Sequence, residues 1–82
     1  MSKIANALLT LDELFHNARM EFEFWEKELS DNGYDVENAI AAAQYYGQMT
    51  AIANVEKQLF ENGPCQAKLE LIKPKLYKDE YN

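Results

Sequence analysis

Eighty-two residues carrying a formal charge of −6 leave room for one domain and one core. Apolar residues at 48% and charged residues at 27% suit a folded globular chain and exclude a disordered one. The acidic balance also excludes direct binding to nucleic acid or to anionic membranes, unless the charge is sharply segregated.

It is segregated, but toward acid. Residues 12 to 37 hold nine acids against two bases, Arg19 and Lys27, a local charge of −7. One cysteine, Cys65, rules out an internal disulfide and fits a reducing compartment. The opening run IANALLTL lacks the pattern of a signal peptide, and no apolar stretch is long enough to span a membrane. The expected location is cytoplasmic.

The first element must be read through MEFEFWEKE, residues 20 to 28, whose start alternates apolar and charged as a half-buried strand would. Its flanks decide otherwise. Ile4, Leu11, Ala18 and Trp25 recur every seven residues, and so do Leu8, Phe15, Phe22 and Leu29, with Ala7 and Leu14 alongside. Such rows lie side by side on a helix, whereas a strand would split each row between two faces. The spacing predicts a helix over about 3–30, capped by Ser2; a later start at the TLDE capping box, Thr10 to Glu13, is the alternative. On that wheel Met20 and Phe24 form an i, i+4 pair pointing away from the buried stripe, into the acidic back.

SDNGYD, residues 30 to 35, is rich in turn formers, with Gly33 suited to a left-handed conformation and Asp35 to an N-cap. A second helix is predicted over about 35–62, stopped by Asn62-Gly63-Pro64. Two helices of about 27 residues, each roughly 40 Å long, joined by a short turn, make an antiparallel hairpin. The second helix has two candidate faces. Ala39, Ala43, Gly47 and Ala51 form a ridge of small side chains that would suit Phe15, Phe22 and Trp25 of the first helix. The opposite face carries Ala41, Ala42, Tyr45, Met49, Ile52, Leu59 and Phe60, interrupted by Glu56. The third segment, PCQAKLELIKPKLY, reads as a short helix from Pro64 with Cys65, Leu69, Ile72 and Leu76 in phase, or as an extended piece; Pro74 should break it. The last residues, KDEYN, should fray. The fold class is all-α: one helical domain spanning 1–82, assembling into a bundle.

The inventory of chemistry is thin. Glu13-Leu14-Phe15-His16 has the E-x-x-H spacing of bundle metal sites, but it lies on the polar back and no second histidine exists, so a solvated face is the better reading. Glu56 sits among apolar neighbours, where an unpaired carboxylate is costly, and Lys57, Lys68 or a neighbouring subunit's Arg19 are its natural partners. Cys65 at a helix start could feel the dipole and ionise more readily, while a small buried thiol is the plainer reading. With no phosphate loop, no Ser-His-Asp set and no zinc-spaced cluster, neither catalysis nor a cofactor or metal is expected.

Binding remains. The chain reads as a protein-binding module, an adaptor or inhibitor that associates with itself and with another protein. Self-association is expected through Tyr45, Met49, Ile52 and Phe60, since one hairpin cannot cover both faces of the second helix. The outside partner is expected at Met20 and Phe24, among Glu21, Glu23 and Glu28. Two other readings use the same surfaces. The acidic helix could mimic a run of phosphates and block a nucleic-acid-binding protein, or the second-helix face could shield a client segment as a secretion or assembly chaperone.

Overall fold

A computed structural model of the chain describes residues 3–33, 35–60 and 63–72, the side chain of Ile4 excepted. The described chain is helical throughout apart from its turns: α1 runs Lys3–Asn32, α2 Val36–Phe60 and α3 Pro64–Glu70. The long helices pack against each other as an antiparallel hairpin, and α3 folds back mainly onto α2. No described helix is long and apolar enough to cross a membrane. The molecule is a rod of 48 × 17 × 15 Å.

MEFEF is helical. Its row supplies the core: Phe15, Phe22 and Leu29 are buried, Ala18 beside them, with Trp25 packed against the cluster. Leu14 departs from the expected stripe and is about half exposed. Thr10 caps nothing, because its hydroxyl donates back to the Asn6 carbonyl at 2.9 Å inside an unbroken helix. The expected cap at Ser2 lies outside the described residues.

The turn follows its chemistry. Gly33 takes φ +79°, the left-handed region, and ends α1. Asp35 then caps α2, its Oδ1 accepting the Glu37 N–H at 2.8 Å and lying 3.4 Å from the Asn38 nitrogen.

The face of α2 that meets α1 differs from the expected one. Ala39, Ala42, Met49, Ala53 and Glu56 are buried, with Tyr45, Tyr46 and Ile52 packed around them, while Ala43, Gly47 and Ala51 stand in solvent. Large rings against small residues is still the packing rule, since Phe15 and Phe22 share one cluster with Ala39, Ala42 and Ala53. The ridge that supplies the small residues is another one. Tyr46 adds a ring to the same seam, its centroid 5.6 Å from that of Phe22 at a tilt of 48°.

The third segment is helix rather than extended chain, with Cys65 and Leu69 buried and Ile72 packed beside them. Leu76, Pro74 and the terminal KDEYN lie outside the described residues.

Candidate functional site

The polar centre of the fold is Glu56, fully buried near the end of α2. α3 begins at Pro64, which has no N–H, so Cys65 brings the first backbone donor needing an acceptor. The N-cap, Gly63, has no side chain to offer one. Glu56 supplies it from the preceding helix: Oε1 accepts the Cys65 N–H at 2.9 Å, and Oε2 lies 3.2 Å from the Cys65 Sγ. Asp12 of α1 completes the cluster, its Oδ1 lying 3.4 Å from the same sulfur. Three helices therefore meet at one thiol. Gly63 has φ −98°, which any residue can adopt, so its glycine answers to space. A Cβ there would collide with the Glu56 carboxyl group.

In place of the lysine or arginine expected beside Glu56, the structure gives it a backbone N–H and a thiol. Arg19 instead pairs with Glu23 on the surface of its own helix, Nε to Oε1 at 2.9 Å. The thiol likewise runs opposite to the dipole argument. Burial, then hydrogen bonds to Glu56 and Asp12, raise Cys65 above the ordinary thiol value of 9.0. The sign of the linkage follows. The unfolded chain loses the thiol proton near pH 9 and the folded one holds it, so this contribution is fully present below pH 9 and declines above it. Urea denaturation at pH 7 and pH 10 should show a larger alkaline loss for the native sequence than for a Cys65→Ala variant. Equal losses would mean that the thiol is not held in this environment.

The ligand atoms of Asp12, Glu56 and Cys65 lie within 4.8 Å of one another, close enough for one cation. A metal would have to displace the thiol proton and compete with the Cys65 N–H for Glu56. The hydrogen bonds in place make the cluster a brace that fixes α3 on the hairpin. Glu13 and His16 are exposed on an open groove that Asp12, Asn17 and Lys68 also line, and the lysine is a cation that would oppose a second one.

The surface residues divide. Met20 and Phe24 are 58% and 53% exposed, and α3 leaves them uncovered. Phe24 rests edge-on against Trp25, centroids 5.0 Å apart at 84°, which gives the exposed ring a firm base. Glu21 and Glu23 are exposed, but Glu23 is already engaged by Arg19, and the half-buried Glu28 accepts the Asn32 amide at 2.8 Å. The residues expected to carry self-association sit elsewhere than supposed. Met49 is wholly inside the chain, Tyr45 and Ile52 are half-buried against the same core, and Phe60 is half-buried beside Lys3, Ala7 and Leu59. α2 is apolar on all sides, so its sequence does not mark the inner face.

On the exposed side of α2, Val36, Ile40, Val55 and Leu59 are large and apolar, and Ala43, Gly47 and Ala51 are exposed as well. They wind round the helix rather than line one face, Leu59 lying about 140° round from Val36. Every exposed side chain from Ile40 to Val55 is uncharged. That signal was legible: Glu37, Glu56 and Lys57 are the charged residues of α2, and the buried one leaves two at the ends. No family model, curated protein or solved structure matches the chain.

Proposed function

We propose that this protein works by binding other proteins through the outward faces of its two long helices, without catalysis, as an adaptor or inhibitor. The observation that carries the reading is the Met20–Phe24 pair. Two large apolar side chains stand in solvent between Glu21 and Glu23 on the acidic second half of α1, Phe24 backed by Trp25, while the core closes without them. An aromatic and a methionine inside a charged rim is the composition of an interface centre. The surface fits a partner helix with apolar anchors and basic flanks.

The acidic-mimic reading draws on the same helix, yet it would need its carboxylates free to face a basic channel. Glu23 and Glu28 are partly engaged within the helix itself, which favours the apolar reading. Two synthetic helical peptides separate the two: one bearing lysines alone, one bearing lysines with leucines at i, i+4 spacing. The single tryptophan reports binding by its fluorescence. The leucine-bearing peptide should bind saturably, hold in high salt and lose at least tenfold in affinity when Met20 and Phe24 become alanine, the cost of about 1.4 kcal/mol per decade. Equal binding of both peptides, abolished by salt, would favour the mimic. Failure of both to bind would overturn the α1 surface.

A further inference from the structure

We propose that the Met20–Phe24 surface of α1 is a docking site for the chain's own C-terminal segment, Lys73 to Lys78, which covers the pair until a partner displaces it. This rests on the reading of Met20 and Phe24 as a binding surface. The direction of α3 is the starting point. Cys65, near its beginning, lies against Asp12 of α1. Lys68, about one turn on, lines the groove that reaches His16 and Asn17. α3 therefore advances along α1 in the same direction, toward residue 20. Its last turn carries on to Ile72, whose N–H donates to the Leu69 carbonyl at 3.0 Å. At a rise of 1.5 Å per residue, Ile72 lies about 10 Å beyond Cys65, about level with Arg19. It packs against the core, so the residues after it set out from the body of the hairpin beside the acidic half of α1.

The route is short enough. On α1, Asp12, His16, Met20 and Phe24 follow at intervals of four, each one turn further along and about 40° further round. The row leaves the side that α3 occupies and winds obliquely to the exposed pair. For a chain riding over a helix surface, the path from Ile72 is about 12 Å to Met20 and about 20 Å to Phe24. Leu76, four residues on, has about 13 Å of extended backbone, and Tyr77 about 17 Å plus the length of its own side chain. The other apolar hollow, between Lys3, Ala7, Leu59 and Phe60, lies behind the start of α3, and the segment leads away from it.

The chemistry of the two surfaces matches. Lys73, Lys75 and Lys78 put three of the chain's eight bases into six residues. Residues 20 to 31 of α1 carry five acids against one lysine, a charge of −4, and the Arg19–Glu23 pair offsets only one of those acids. Leu76 and Tyr77 stand between the lysines, an apolar pair to set against Met20 and Phe24. Asp79 and Glu80 come next in the sequence and reverse the sign, so the complementary stretch ends at Lys78. Apolar anchors with basic flanks are also what the surface offers an outside partner, so segment and partner compete for it. Tethered so close, the segment acts at an effective concentration in about the millimolar range, and a weak contact is enough to seat it.

NMR of the full chain with methyl-labelled methionine tests this in the free protein. The Met20 methyl, identified by Met20→Leu, should show nuclear Overhauser contacts to Leu76 or Tyr77. Leu76→Ser with Tyr77→Ser leaves every charge in place, so the long-range attraction for a basic peptide is unchanged. This variant should lose the contacts and bind the leucine-bearing lysine peptide at least about threefold more tightly, the factor withheld by a segment docked in two thirds of the molecules. A Met20 methyl without contacts to the segment overturns the docking, whether or not the peptide binds. Contacts found between a labelled and an unlabelled copy, fading on dilution, place the segment on a second copy and overturn the assignment within one chain. Contacts present with peptide affinity unchanged overturn the competition. A peptide that binds neither protein overturns the α1 partner surface and the competition together, while the contacts score the docking by themselves.

Discussion

A Gly63→Ala variant is expected to melt about 10–20 °C below the native protein, a loss of about 2–3 kcal/mol. The added methyl would occupy the place of the Glu56 carboxyl group. Glu56 is fully buried and holds the Cys65 N–H, so it cannot swing aside without leaving a donor unmatched inside the protein. α3 would have to lift instead, exposing Cys65 and Leu69. A double-mutant cycle identifies the cause. Glu56→Ala should itself be costly, because it leaves the Cys65 N–H and thiol without their acceptor. Combined with Gly63→Ala it should cost less than the two losses added, by at least about 1 kcal/mol, since the methyl then fills vacated space. Strict additivity in urea or thermal melts would mean that the two positions do not touch.

Phe22→Ala should come close to unfolding the protein. Removing a buried phenylalanine ring costs about 3–5 kcal/mol through lost burial and the cavity left behind. A chain of this length has a total stability of roughly 4–12 kcal/mol to draw on. Phe22 is buried at the middle of the α1–α2 seam and carries the ring contact with Tyr46. Two residues along, Phe24→Ala removes the same side chain from a half-exposed position, and its cost should stay within about 1 kcal/mol. The pair of variants, compared by urea titration, reads the orientation of α1 directly. Similar costs at 22 and 24 would mean that the helix is rotated from the one described.

The contrast between those two phenylalanines was legible in the sequence, because Phe15, Phe22 and Leu29 keep one phase over many turns and Phe24 lies outside it. Gly33 and Asp35 were legible for a local reason: a left-handed turn residue and a side-chain cap act within a few positions of themselves. α2 resisted because apolar residues surround it, and periodicity identifies a buried face only when the other face is polar. Ala39 was placed on the inner side correctly, whereas Ala43, Gly47 and Ala51 followed it onto the wrong one. Glu56 resisted for another reason. Its environment, a carboxylate among apolar side chains, could be seen, but its partner is a backbone N–H, which every residue except proline carries and no sequence advertises. The one hint was Gly63-Pro64, a cap without a side chain ahead of a residue without a donor, so that the next N–H had to find its acceptor elsewhere.

The rod shape affects how the molecule moves through water. Its radius of gyration is 14.3 Å, against about 12 Å for a compact chain of this length. An object three times longer than it is wide meets more friction than a sphere of equal mass. One copy should therefore leave a sizing column ahead of spherical standards of 9.5 kDa, imitating a heavier particle. Rotational diffusion should also be anisotropic, with amide vectors along the rod reorienting more slowly than those across it.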